Sequence, residues 1–146
     1  MRDLFALFDT YSVRYLLVGG HAAIIHGNPR VTGDTDIFYD RAADNCERLF
    51  SALSDFWGGD IPVLETPSEL AEPGAITQFG RPPNRLDLIN QIDGVDFPSA
   101  WDGRASFQLK VRGRDVPLHI LNRSDFLLNK RASGRPKDLD DVNALE

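Results

Sequence analysis

One cysteine, one methionine and two tryptophans are all that this 146-residue chain holds of those residues. The single thiol, Cys46, excludes an internal disulfide framework and a cysteine zinc cluster. Its place in a helical pattern reads as that of a small packing residue. No run approaches the ~18 consecutive apolar residues of a membrane span. The opening MRDLFALFDTYS carries Asp3 and Asp9 and lacks a small-residue cleavage site, so it does not read as a secretory signal. These absences lead to the expectation of a cytoplasmic protein that does not enter a membrane. Positive charge is also short: 16 Lys and Arg stand against 22 Asp and Glu, a net charge of −6. A general positive field for coating nucleic acid is thereby excluded. A local basic patch is not. Arg123, Lys130, Arg131, Arg135 and Lys137 lie close together near the C-terminus, as such a patch or as a solvated helix face.

What is present suits a globular domain. Hydrophobic residues make up 42% and charged residues 26%, and the length fits one domain, 1–146, around one core. Leu4, Phe5, Leu7, Phe8 and Tyr11 sit at helical spacing, predicting a helix over 2–11. Residues 13–18 form a short apolar run, predicted as a buried strand, which Gly19-Gly20 breaks. Residues 21–26 read as two helical turns closed by Gly27. Residues 34–40 alternate as a strand, and 42–57 as a helix with an inner stripe of Cys46, Leu49, Phe50, Leu53 and Trp57. Residues 60–75, rich in Pro, Glu and Ser, read as a mobile connection, with 60–73 either a lid or a surface loop. A strand pair follows over 76–79 and 85–90, then a short helical turn near 97–101. A hairpin of 107–111 and 116–120 flanks Arg112-Gly113-Arg114-Asp115. Helices over 124–132, capped by Ser124, and 137–145 complete the chain. The mixture of helices and hairpins predicts an α+β domain on one mixed sheet, with a C-terminal hairpin and helices.

The most informative stretch runs from Tyr15 to Asp40. An apolar strand ends in Gly19-Gly20, and after a short helix Asp34-Thr35-Asp36 opens a second strand. Glycine admits close backbone approach, and a helix beginning there aims free N–H groups at an anion. The bland alternative is a plain strand-to-helix turn. Asp34 and Asp36, at i and i+2 of a strand, share a face roughly 6.6 Å apart. Like charges that close repel, which raises a pKa or calls for a cation. Magnesium accepts carboxylate oxygens together with waters and phosphates. Two such ions would clamp the attacking and leaving oxygens of a phosphoryl displacement. A third acid then becomes useful, and Asp87, in the apolar strand Leu86-Asp87-Leu88-Ile89, is the candidate. His21 and His26 read as packing residues, since their i, i+5 spacing does not place them on one helix face.

Leu16-Leu17-Val18-Gly19-Gly20, Asp34-Thr35-Asp36 and the strand-borne Asp87 together resemble the nucleotidyltransferase superfamily that includes DNA polymerase β, in its minimal bacterial form. The C-terminal Leu127-Leu128-Asn129-Lys130 and Arg135-Pro136-Lys137-Asp138 resemble the closing motif of a bacterial subgroup with relatives in toxin–antitoxin and phage-defence loci. The resemblance runs from about Val13 to Leu145. It implies a nucleotidyltransferase-like mixed sheet and a magnesium-dependent transfer of a nucleoside monophosphate from a nucleoside triphosphate to a hydroxyl, with release of pyrophosphate. It further implies that Asp34, Asp36 and Asp87 hold two magnesium ions, with Asp87 also orienting the attacking hydroxyl. Gly19 and Gly20 would hold the triphosphate. Lys130 and Lys137 would neutralise phosphate charge, and Arg30 and Thr32 would touch phosphate or brace the loop. An ion pair to Asp34 or another acid is the equal alternative for Arg30. Asp138 is expected to pair with a basic neighbour or to cap the last helix. The acceptor would be a protein side chain, an RNA end or a small molecule. The small size and acidic charge leave a second possibility open: an antitoxin or partner-binding domain for a cognate toxin.

Overall fold

The computed structural model describes residues 1–28 and 32–146. The chain begins with α1 (Arg2–Thr10), which buries Leu4, Phe5 and Phe8, the inner positions of its apolar periodicity. The central strand β1 (Tyr15–Val18) is buried at all four positions, as expected of a strand covered on both faces. It runs directly into α2 (Gly19–Ile25), which begins at the glycine pair rather than at His21. Then come β2 (Thr35–Tyr39) and α3 (Ala43–Phe56). Asp34 lies one residue ahead of β2, not within it. The second half comprises β3 (Ile76–Phe79), β4 (Leu86–Ile89), α4 (Phe97–Asp102), β5 (Ala105–Val111), β6 (Arg114–Ile120), α5 (Arg123–Ser133) and α6 (Pro136–Leu145).

The six strands form one mixed sheet in the order β3-β4-β2-β1-β6-β5, with helices packed on it: an α+β fold with a C-terminal hairpin and helices. β1 pairs antiparallel with β2 and parallel with β6, while β2 pairs parallel with β4. The register follows from burial. Thr35, Ile37 and Tyr39 lie on one face, where Phe5 and Phe8 of α1 pack against Tyr15 of β1, with ring centroids 5.6 and 4.9 Å apart. Asp36 and Phe38 lie on the other, where Phe38 meets Phe97 of α4 edge-on at 5.0 Å. A slip of one residue would bury Asp36 among these aromatics and expose Ile37.

Buried Asn45 fastens the start of α3 to the sheet. It accepts from Arg14 N at 2.8 Å and donates to the carbonyls of Arg14 and Asp40 at 3.1 and 2.7 Å. The segment read as mobile, 60–75, is instead tied down. It contains a 3-10 turn, Pro67–Ala71, with a Thr66/Glu69 capping box, and buries Ile61, Leu64 and Leu70. The buried Asn90 side chain donates to the carbonyls of Leu70 and Glu72 and accepts from Gly74 N. Pro and Glu richness signalled absence of long helix here, not absence of packing. The β5–β6 turn contains two residues rather than four. Arg112 and Gly113 both have positive φ, 50° and 78°, which suits a tight hairpin turn. Asn122, not Ser124, caps α5 by accepting from Asp125 N at 2.8 Å. Gly134, at φ 65°, ends that helix, and Pro136 starts the next. Among the described residues, no helix is long and apolar enough to cross a membrane.

Candidate active site

The strand ends at one edge of the sheet converge on a cavity of about 780 Å³. β2 and β4 form its floor. Their parallel register sets Asp36 beside Asp87 as direct partners, and Gln78 of β3 stands on the other side of Asp87. The rim comprises Gly19, Gly20, Thr32, Asp34 and Arg85, and the far wall is made by α5 and the start of α6, with Asn129, Lys130, Ser133, Arg135 and Lys137. Asn129 holds that wall in place, donating to Asp93 O at 2.9 Å. The volume suits a small-molecule ligand of nucleotide size.

Gly19 has φ +67°, and a Cβ there would collide with the Asp36 carboxylate, lying 2.9 Å from its Cγ. Any other residue would push Asp36 off its position as well as strain the turn. A Cβ on Gly20 would press on Thr32, 2.8 Å from its Oγ1. The glycine pair thus lets the first turn of α2 close onto Asp36 and Thr32. Thr32 itself lies in the rim, and its hydroxyl is 3.5 Å from Asp34 O.

The electrostatics are those of a crowded acidic pocket. Burial raises the Asp36 carboxyl to about 6, and the neighbouring Asp87 and Asp34 carboxylates add to the rise, while Arg85 opposes it. The Arg85 guanidinium lies 3.4 Å from Asp34 Oδ2 and 3.0 Å from Asp87 Oδ1. Among the described residues, three buried atoms make no hydrogen bond: Asp34 Oδ1, and the Asp87 Oδ1 and Arg85 Nε that approach each other at 3.0 Å. Buried polar atoms without hydrogen bonds are costly, and the two carboxylates concerned belong to residues that line one cavity. Oxygen of this kind is what magnesium takes, so the three aspartates fit a hard divalent cation chemically. Among the described residues, no three of His, Cys, Asp or Glu are drawn together as a ready-made cage.

The basic residues divide. Lys130, expected at phosphate, lines the cavity but is almost wholly buried, and its ammonium turns to Asp138 Oδ1 at 3.1 Å and Asp141 Oδ2 at 3.7 Å. Asp138 pairs with basic neighbours, as expected. Burial would raise its carboxyl, but hydrogen bonds from Arg135, Ser133 and Lys130 outweigh that and hold it far below the usual range. Lys137 is exposed at the cavity rim. Arg30 lies outside the described residues. His26 Nε2 is 2.8 Å from Leu121 O, and His21 lines a different cavity on the opposite sheet face with Leu17 and Thr35. Neither histidine belongs to the acidic site.

Sequence reasoning missed Arg85. The signal was present: Arg85 and Asp87 stand at i and i+2 of one extended segment, so both point to the same side. Gln78 was also missed, because an exposed strand glutamine carries no pattern of its own.

No curated protein matches the sequence. Among solved structures, the fold is similar to that of a candidate nucleotidyltransferase, TM1012, from Thermotoga maritima. The two share 14% identity over 97% of this chain and 87% of the other, with a TM-score of 0.58, a likeness that shows the fold. The sequence itself matches, over residues 1–146, the family described as nucleotidyltransferase of unknown function (DUF6036), and the chain belongs to that family.

Proposed function

We propose that residues 1–146 form one nucleotidyltransferase domain that moves a nucleoside monophosphate from a nucleoside triphosphate to a hydroxyl acceptor, with magnesium, releasing pyrophosphate. The observation that carries this reading is the register pairing of Asp36 with Asp87 under the glycine turn at Gly19. Asp34, Asp36 and Asp87 would hold the ions, whose contribution is to neutralise charge on the reacting phosphate and polarise it. The chain supplies position. The Gly19-Gly20 turn brings backbone N–H groups up to the phosphates without a side chain in the way. Lys137 and Arg135 present positive charge from the α6 side. Thr32 would brace the rim. Lys130 acts one step back, by fixing Asp138 and Asp141 so that α5 and α6 hold the cavity wall. Asp87, at the outer side of the acid pair, orients the acceptor hydroxyl and takes up its proton. The acceptor hydroxyl belongs to a protein side chain or an RNA end, with a cognate toxin as the protein candidate.

The test is binding of magnesium with nucleoside triphosphate, followed calorimetrically for the wild type, Asp36→Ala and Asp87→Ala. Wild-type binding that both substitutions abolish supports the reading. Equal binding by all three proteins removes it.

A further inference from the structure

Among the described residues, Arg14, Arg112 and Arg135 each hydrogen-bond carboxylate oxygens at two or more points. Arg14 donates to Asp40 and Asp44, with shortest contacts of 2.8 and 3.1 Å. Arg112 donates to both oxygens of Asp3 at 3.1 and 3.3 Å, and Arg135 to both oxygens of Asp138 at 2.7 and 3.3 Å. Such directed, often bidentate geometry is what makes guanidinium pairs durable. Arg85 is different. It lies 3.4 Å from Asp34 Oδ2 and, through Nε, 3.0 Å from Asp87 Oδ1, yet the Nε–Oδ1 approach makes no hydrogen bond, and Asp34 Oδ1 is buried without one among the described residues. Its backbone is fixed, because Arg85 O accepts from Thr35 N at 2.8 Å. Its side chain is 31% exposed and borders the cavity.

We propose that Arg85 is a built-in counter-ion, occupying the carboxylates Asp34 and Asp87 while no metal is bound and yielding them when a divalent cation enters. The inference rests on the reading of the site given above. Without a cation, the like charges of three clustered acids would weaken the fold. One guanidinium offsets part of that repulsion. Because its contacts lack directed hydrogen bonds, releasing it costs little. A small divalent ion carries twice the charge and takes carboxylate oxygen without needing the angle of a hydrogen bond. Guanidinium and metal therefore compete for Asp34 and Asp87, and the arginine weakens the first metal-binding event while stabilising the metal-free protein.

The test uses the full chain without nucleotide. Mn²⁺ is titrated calorimetrically into the wild type, Arg85→Lys and Arg85→Gln. The expected result is metal binding tightened ~10-fold in Arg85→Gln, the size of a modest competing ion pair, with Arg85→Lys between the two. Metal-free Arg85→Gln melts at a lower temperature than the wild type, so affinity and stability move in opposite directions. A purely structural arginine would not produce that crossing. Should Arg85→Gln fail to fold, nuclear magnetic resonance of the wild type decides. The Arg85 Nε–Hε signal, assigned by its loss in Arg85→Lys, moves as Mg²⁺ is added, while those of Arg14 and Arg112 stay. Unchanged or weaker metal binding in Arg85→Gln, or an unmoved Arg85 signal in metal-saturated wild type, overturns the counter-ion role and leaves the transferase reading intact. A wild type that binds no divalent ion, alone or with nucleotide, overturns both.

Discussion

Asp36 and Asp87 are partners in register on adjacent parallel strands, although 51 residues separate them in the chain. Neighbouring strands lie about 4.8 Å apart, so the pairing brings two carboxylates to one spot on the sheet. β4 carries Asp87 between Leu86 and Leu88, both buried on the opposite face. The apolar core thus sets the register, and the register juxtaposes the acids.

Removing either acid should cost activity far more than stability. Asp36→Ala and Asp87→Ala are each expected to lower kcat/KM for nucleotidyl transfer by at least ~10²-fold, the scale of losing one preorganised charge-stabilising group. Their unfolding free energies should stay level or rise, because each substitution relieves repulsion. Steady-state pyrophosphate release beside urea denaturation checks both halves.

Gly19→Ala should damage the site through geometry alone. The new methyl meets the Asp36 carboxylate, and alanine must adopt φ +67°. The expected loss of stability is about 1–3 kcal/mol, accompanied by loss of metal binding. Gly58→Ala provides the comparison. Its φ is also +67°, but nothing lies within 4 Å of the added atom, so it should lower stability and leave metal binding unchanged.

Asp36 gives stability an unusual pH dependence in the absence of metal. Its folded-state value of about 6 exceeds the ordinary 3.8, so the folded protein holds a proton that the unfolded chain has released between those values. This contribution is fully present below pH 3.8 and is lost as pH rises through about 6. Wild type measured against Asp36→Asn should therefore lose of order 2–3 kcal/mol of relative stability from pH 4 to pH 7. Thermal denaturation in chelator across that range, paired with Mg²⁺-containing samples in which the difference shrinks, provides the measurement.

Lys130 and Lys137 should separate cleanly. Lys130→Met leaves Asp138 and Asp141 buried beside one another with less positive charge, and breaking such a buried pair costs about 3–5 kcal/mol. Lys137→Met, at an exposed position on the rim, should leave stability within about 0.5 kcal/mol and raise KM for nucleoside triphosphate. Chemical denaturation and initial-rate kinetics on the two variants distinguish the roles.

Asn90→Ala should loosen the 60–75 segment, because that side chain bonds Leu70 O, Glu72 O and Gly74 N. A cost of about 1–2 kcal/mol is expected, since Gly74 N loses its partner while Leu70 O keeps Tyr39 Oη and Glu72 O keeps Ala75 N. Faster amide exchange confined to 66–75 is the sign to look for.

Much of this protein was readable before any coordinates. Periodicity located α1, α3 and the apolar strands, because burial on one face writes itself into local spacing. The glycine pair and the Asp-x-Asp motif announced themselves because backbone approach and paired charge demand particular residue types close together in the chain. Boundaries were less legible: Asn122 and Ser124 are both good caps, and only the turn geometry chose between them. The 60–75 segment misled because its anchors, Tyr39 and Asn90, lie outside it. The surroundings of Lys130 were illegible for a related reason. Charge type is visible in sequence, but whether Lys130 faces a ligand or Asp138 depends on how α5 crosses α6. The sequence alone determined which side chains were available for chemistry and which face of each strand they would share. Tertiary structure decided which strands became neighbours, and so which acids met and which arginine stood among them, because strand order arises from burying the whole core and no local pattern encodes it.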